Sequence, residues 1–323
     1  MGSRFVPPLA AFLFLSLSLS PILTPLAHAQ ASAPLYLALG DSLAFGVGAG
    51  SPADQGYVGL TTAVLRASER FSESGLDLEN LSAPAATTAD LLEPEGQLAR
   101  GLTEILRRAA DGDPGNDVKL ISLSIGANDL LALAEPDAPC VQNAGSETCR
   151  NLLTQTLADV QSNITEVLGQ LREAAPDAEI YVMNLYNPYS GSGEEFELIA
   201  SVGVQQLNGV IGVAAAIEEF DARLAPVFEL FQGRAEQWIA QDGIHPNDDG
   251  YRVMAEALQA AIEGRPVSIP EDLLALPSDA PPANQVTASG DGVDTIVVLL
   301  ALPAAFIAGA FLSSAYFLMR GRA

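Results

Sequence analysis

In Leu35-Tyr36-Leu37-Ala38-Leu39-Gly40-Asp41-Ser42-Leu43 an apolar run climbs to a glycine and then stops at an aspartate and a serine. The pattern reads as a short buried strand that breaks into a loop. In an open α/β sheet the crevice beyond the carboxyl ends of the strands is where ligands bind. A serine there can be exposed and held by its own backbone. The same two residues also suit the cap of a following helix. Stretches further along the chain bear on the choice.

Four more segments carry strand signals. Residues 76–81 run into Ser82-Ala-Pro-Ala-Ala-Thr-Thr88, a turn followed by a helix opened by Thr88 or Asp90. Val118-Lys-Leu-Ile-Ser-Leu-Ser-Ile125 is the strongest strand signal and ends in Gly126-Ala-Asn-Asp129. Residues 178–185 form the next strand. Residues 224–231 form a short fifth, weakened by Pro226, which has no N–H to give a ladder. Helical spacing fills the gaps: residues 56–71, a stripe through Leu98, Leu102, Ile105 and Leu106, residues 152–174, 194–219 and 250–263. Strands alternating with helices indicate a parallel sheet with helices on its faces. After Ser42, Phe45-Gly-Val-Gly-Ala-Gly50 lacks the spacing of a dinucleotide loop and reads as a flexible loop beside the serine.

The ends of the chain differ from its middle. Residues 1–29 have a basic start (Arg4), an apolar run over 9–26 and Ala27-His-Ala29, the pattern of a cleaved secretory signal. Pro21 and Pro25 argue against an uncleaved anchor. No cysteine follows the run to carry a lipoprotein lipid. At the other end residues 264–294 are rich in Pro, Ala, Ser and Asp and read as a flexible linker, with a short helix near residues 272–276. Residues 295–319 follow, and from Ile296 to Met319 no side chain is charged. Such a run spans about 36 Å as a helix, enough to cross a bilayer with some tilt. Arg320 and Arg322, in the tail 320–323, put the C-terminus in the cytoplasm and the domain outside. A buried core helix and a tail removed during lipid anchoring are the alternatives. Ala305, Gly309 and Ser313 have the spacing of a helix–helix contact, which leaves the oligomeric state open.

The segment between these ends holds all 40 acidic residues but only 12 of the 15 basic ones, a net charge of −28. That surface repels phosphate backbones, so a nucleic-acid partner is not expected. Cys140 and Cys149, the two cysteines, stand in a loop with eight residues between them. In an exported chain they are expected to pair. Two cysteines with one mature histidine do not complete a zinc site, and no metal or other cofactor is expected.

His28 leaves with the signal, so His245 is the sole imidazole of the mature chain. It follows Asp242 in Gln241-Asp-Gly-Ile-His-Pro-Asn247. Ester hydrolysis needs a nucleophile, a base, a group that orients the base and donors for an oxyanion. Ser42, His245 and Asp242 supply the first three, as in serine-hydrolase triads. The Asn128 amide and the backbone N–H groups near Ser42 and Ala85 supply the donors.

At this point the chain resembles the GDSL, or SGNH, hydrolase family. Gly40-Asp-Ser-Leu43 matches its first motif, Gly126-Ala-Asn-Asp129 its third and Asp242-Gly-Ile-His-Pro246 its last, in the family's order, within residues 35–263. The resemblance implies a three-layer α/β/α sandwich, flavodoxin-like, with a five-stranded parallel sheet in residues 30–263. It implies Ser42 as nucleophile, His245 as base, Asp242 as its partner and Asn128 as an oxyanion donor. The second motif departs from the pattern: its glycine is replaced by Ala85, whose backbone N–H is expected to serve if φ stays below zero. The expected whole is an extracellular, membrane-tethered serine esterase acting on a small ester. A weak member of the fold that binds an acylated ligand, or an acyltransferase using the same residues, stays open. The family resemblance admits lipid, thio- and acetyl esters alike.

Overall fold

The structure, a computed structural model, describes residues 33–135, 137–193 and 195–274, and Gly2. Five strands, β1 (Leu35–Gly40), β2 (Asp77–Asn80), β3 (Val118–Ser124), β4 (Glu179–Met183) and β5 (Ala222–Ala225), form one sheet in the order β2-β1-β3-β4-β5. Every neighbouring pair is parallel. All six residues of β1 are buried, which is why that strand reads as a continuous apolar run instead of an alternating one.

Right-handed crossovers assign the helices to faces. Gln97–Ala109, Glu147–Ala174 and Glu195–Ala215 pack side by side on one face, and Tyr57–Ala67 packs with Asp248–Glu263 on the other. Gly101 brings the first of these down onto the sheet, since a Cβ there would stand 3.2 Å from Leu37. From β1 the chain moves outward to β2, then returns past β1 to β3. Strand order therefore reverses between β1 and β3, and this is the switch point at which such sheets form a crevice. Ser42 follows β1 and Asn128 follows β3, so both stand at that crevice.

Several expectations are corrected. The fifth strand is Ala222–Ala225, earlier than residues 224–231, because Pro226 ends it. The next two amides, of Val227 and Phe228, donate instead to Asn184 Oδ1. The helix expected from residue 152 begins at Glu147. Cys140 and Cys149 are not in an open loop: one lies in the short helix Pro139–Gln142 and the other in the first turn of Glu147–Ala174. Their sulfurs are 2.06 Å apart. Nor does the domain stop at residue 263. Arg265 pairs with Glu256, Asp272 with Arg252 at 2.7 Å, and Leu273 is buried in the core from helix Glu271–Leu274. Among the described residues no helix is long and apolar enough to cross a membrane. The signal and the charge-free run expected at the two ends lie outside the described residues.

Candidate active site

The strand β1 ends in a backbone that only glycine fits. Gly40 has φ +147°, and a Cβ there would stand 2.2 Å from the Ser124 carbonyl oxygen. Its N–H donates to Gln97 Oε1 and its carbonyl accepts from Gln97 Nε2, both at 2.8 Å. Beyond it Asp41 is fully buried and accepts from the Leu43 N–H at 2.9 Å, capping the helix Ser42–Phe45. Asp41 therefore does cap a helix, and that cap is compatible with a site at Ser42. The cap fixes the turn from which the Ser42 side chain emerges, and Ser42 is itself 8% exposed.

His245 is brought to Ser42 by a braced loop. An antiparallel bridge joins Ile239 to Pro246, and the Ala240 N–H donates to the His245 carbonyl at 2.7 Å. The Tyr186 hydroxyl donates to the Ile244 carbonyl at 2.6 Å. Tyr186 stacks on Phe231 at 4.3 Å, and Phe231 meets Trp238 edge-on at 5.2 Å, which gives the loop an aromatic floor. From the other side comes Gly48, at φ +95°, where a Cβ would stand 2.5 Å from the Pro246 carbonyl oxygen and 3.0 Å from His245 Cβ. The glycine run after Ser42, expected to be a flexible loop, is thus packed against the histidine loop.

His245 Nε2 lies 2.8 Å from Ser42 Oγ, and Nδ1 lies 2.6 Å from Asp242 Oδ2. Asp242 Oδ1 accepts from the backbone N–H groups of Ile244 and His245, each at 3.0 Å. Burial alone would raise the Asp242 pKa. The His245 side chain and those two amides outweigh it and bring the carboxyl down to about 2. An ionised carboxylate only accepts, so Nδ1 carries the proton and Nε2 is left to accept from Ser42.

The expected donors lie on two loops tied to each other. Asn128 follows Gly126, at φ +116°, in the helix Ala127–Leu131. Its Nδ2 gives one N–H to the Ala86 carbonyl at 2.8 Å, which leaves the second free for a substrate. Asp129 accepts from Thr88 N and Oγ1, tying the second-motif loop to the third. That loop turns at Ala83–Ala86. Ala83 N–H donates to the Gly40 carbonyl and Ala86 N–H to the Ala83 carbonyl. Ala85 has φ +65°, not the negative value expected. The reason is the turn: with Pro84 second and a positive φ third, it is type II, which favours glycine at the position Ala85 occupies. Among the described hydrogen bonds none engages the N–H of Ser42 or Ala85. Among the described residues no group of His, Cys, Asp or Glu is arranged to hold a metal ion.

A hydroxyl, an imidazole and a carboxylate in series at a sheet switch point match a family as well as a chemistry. The profile of the GDSL-like lipase/acylhydrolase family matches residues 38–253, about two thirds of the chain. The chain belongs to that family. It is an ester hydrolase of the GDSL type. The spore germination lipase LipC of Bacillus licheniformis is 26% identical to this hydrolase over 236 residues, covering 71% of this chain and 97% of that one. Among solved structures, the lipase Lip_vut3 from a goat rumen metagenome superposes with TM-score 0.54 at 21% identity, covering 71% of this chain and 97% of its own. Axe2, an acetylxylan esterase from Geobacillus stearothermophilus, does so with TM-score 0.50 at 17% identity, covering 72% and 94%. At these identities the structural likenesses speak to the fold.

Two long-range pairings of the hydrolase had no signal in the sequence. Gln97 and Gly40 are 57 positions apart, and Asp129 and Thr88 are 41 apart. Gln97 stands in no motif, and although Asp129 closes Gly126-Ala-Asn-Asp129, nothing in the sequence pairs it with Thr88.

Proposed function

We propose that this hydrolase is an extracellular, membrane-tethered serine esterase that cleaves carboxylic esters through an acyl-Ser42 intermediate. The observation that carries the chemistry is the unbroken series Asp242 Oδ2, His245 Nδ1, His245 Nε2 and Ser42 Oγ, with steps of 2.6 and 2.8 Å. In the first half-reaction Ser42 Oγ attacks the ester carbonyl carbon while Nε2 takes its proton. The imidazolium that forms is stabilised by the Asp242 carboxylate. The carbonyl oxygen becomes an oxyanion, received by the N–H groups of Ser42, Ala85 and Asn128. Nε2 then returns the proton to the departing alkoxide, leaving the acyl enzyme. In the second half a water gives its proton to Nε2 and attacks the acyl carbon, and Ser42 leaves with that proton.

LipC is named a spore germination lipase and Axe2 an acetylxylan esterase, so the relatives leave open whether lipid, thio- or acetyl esters are cleaved. The signal pattern of residues 1–29 and the charge-free run 296–319 followed by two arginines support export and tethering. A fluorophosphonate probe tests the chemistry. It should label the full-length protein at Ser42 and should fail on Ser42→Ala and on His245→Ala, since no other imidazole remains in the mature chain. Normal labelling of Ser42→Ala would remove Ser42 as the nucleophile.

A further inference from the structure

The outer face of helix Glu195–Ala215 is unlike every other long helix face of this domain. Its exposed positions include Leu198, Val202, Gln205, Gln206, Gly209 and Val213. They recur at three- and four-residue steps, so they form one continuous stripe. Leu198 and Val213 are each 55% exposed, and from Leu198 to the helix end no residue is charged. The neighbouring helix Glu147–Ala174 exposes Glu147, Arg150, Asp159, Glu166 and Glu173. A charge-free exposed face is conspicuous in a chain with 40 acidic residues.

The N-terminal end of the stripe lies at the edge of the sheet that carries the active site. The helix begins just after the turn that leaves the carboxyl end of β4, on the edge of the sheet that carries Ser42. Asn187 Nδ2 ties that turn to the helix through the Glu197 carbonyl at 3.1 Å and Ser201 Oγ at 2.8 Å. Leu130, two residues after Asn128, packs against Gly203 of the same helix.

Three occupants are conceivable, and the charge and size of the face separate them. A helix of 21 residues offers a strip about 31 Å long and roughly 10 Å wide, or about 300 Å² per molecule. A second copy would then bury about 600 Å² in total, half or less of what a stable interface needs, while bringing two strongly acidic domains together. The same strip suffices for a domain that is already held close to a bilayer. Only about 20 residues separate Leu274 from the charge-free run 296–319, a reach of roughly 25 Å for an unordered chain. An anionic surface would repel the acidic faces. A neutral one accepts the uncharged stripe.

We propose that the stripe bearing Leu198, Val202 and Val213 is the surface by which the domain rests on an electrically neutral lipid bilayer, bringing the Ser42 site beside lipid-borne esters. This rests on the tethered-esterase reading. The contact is made by apolar side chains without a basic rim, so it is reversible and depends on the tether for its local concentration.

The test uses the full chain reconstituted in phosphatidylcholine nanodiscs. A fluorophore is placed at Val202→Cys or Val213→Cys, with Leu106→Cys, 60% exposed on helix Gln97–Ala109, as the control. Doxyl-labelled phosphatidylcholine should quench the label at 202 and 213 and spare the label at 106. No quenching at 202 and 213 overturns the proposal. So does an emission shift without doxyl quenching, which would mean that another part of this chain covers the stripe. Quenching that appears only with two copies per disc overturns it as well. In parallel, Leu198→Glu with Val202→Glu should slow hydrolysis of a long-chain p-nitrophenyl ester held in phosphatidylcholine vesicles by about tenfold and leave p-nitrophenyl acetate in solution unaffected. Equal rates on the vesicle ester would overturn the proposal. Failure of the wild-type protein on both esters would sink the esterase reading instead, and the quenching pattern would still decide the docking.

Discussion

Asp129 holds Thr88 by three hydrogen bonds, accepting from its N–H at 2.9 and 3.2 Å and from its hydroxyl at 2.6 Å. Burial raises the Asp129 carboxyl above the usual range, against the pull of the bonds from Thr88. Through Thr88 this residue fixes the loop that presents the Ala85 N–H, while its neighbour Asn128 holds the Ala86 carbonyl. Asp129→Ala should therefore lower kcat by about tenfold to a hundredfold with little change in KM, because a small displacement of a donor costs rate more than binding. Asp129→Asn, which keeps one acceptor oxygen, should recover part of the loss. A rise in KM at unchanged kcat would assign Asp129 to substrate binding.

Asp242→Asn tests the orienting carboxylate. An amide can donate to Nδ1, which leaves the proton on Nε2 and none of its lone pairs for Ser42. The rate should fall by about a thousandfold or more while the fold persists. The low pKa of Asp242 also has a sign for stability. Its folded value of about 2 lies below the ordinary 3.8, so its contribution is complete above about pH 4 and is lost as pH falls through 2. Thermal melts from pH 5 to pH 2 should show the wild type losing more than Asp242→Asn.

Asp41 behaves in the opposite sense. Burial raises it to about 7, against the Leu43 N–H and the nearby His245. The folded state keeps a proton that the unfolded chain releases above 3.8, so stability falls between about pH 4 and pH 7 and is level beyond. Asp41→Asn keeps an acceptor for Leu43 and has no charge to desolvate. Its melting temperature should drop less than that of the wild type over that interval. Parallel pH curves for the two proteins would show that Asp41 is ionised throughout.

What could be read in advance follows from where the physical constraint is local. Strands β1 and β3 are buried on both faces, and the apolar runs that satisfy this are visible in sequence. His245 is identifiable because the chain has only two histidines, His28 in the signal-like segment and His245 with Asp242 three residues before it. The edge strand β5 was misplaced because Leu224 is 40% exposed there, so an edge strand's composition says little about where it ends. Arg265 and Leu273 read as linker because Pro and Ala dominate around them, although ion pairs at Arg265 and Asp272 and one buried side chain suffice to dock that segment. Gln97 had no signal at all, and Asp129, visible in Gly126-Ala-Asn-Asp129, gave no sign of its partner Thr88, because both partners lie tens of residues away.

Export and pairing of the cysteines can be checked on one sample. Protease added to intact cells should release a soluble domain by cutting after the docked helix Glu271–Leu274, within residues 275–294. Mass spectrometry of that product should find Cys140 joined to Cys149. Closing so short a loop is worth roughly 2.5–3 kcal/mol before strain, so Cys140→Ser with Cys149→Ser should lower stability by that much or less. Free thiols in the released domain would sink the disulfide, and protection of residues 275–294 with an exposed C-terminus would reverse the proposed topology.

The last prediction concerns Ala85, where the turn and the residue disagree. Pro84 sets the second position of a type II turn, and the third must then take a positive φ whatever stands there. An L-residue in that region carries about 1–2 kcal/mol that glycine does not. Glycine in turn loses roughly 0.4–1 kcal/mol through the greater freedom of the unfolded chain. The balance favours glycine, so Ala85→Gly should raise stability by up to about 1.6 kcal/mol, and Ala85→Val should lower it, because a β-branched residue at positive φ is a genuine outlier. The Ala85 N–H belongs to the turn, which both residues share, so the donor itself is not lost. Turnover of Ala85→Gly should therefore rise only slightly, as the methyl group leaves the exposed side of the loop. A gain of tenfold or more would mean that alanine displaces the donor. Such a gain would mark the wild type as a weakened hydrolase, because one misplaced oxyanion donor costs roughly 2.7–4 kcal/mol in the transition state. The comparison needs only kcat for the two proteins on one soluble ester and a denaturant melt of each.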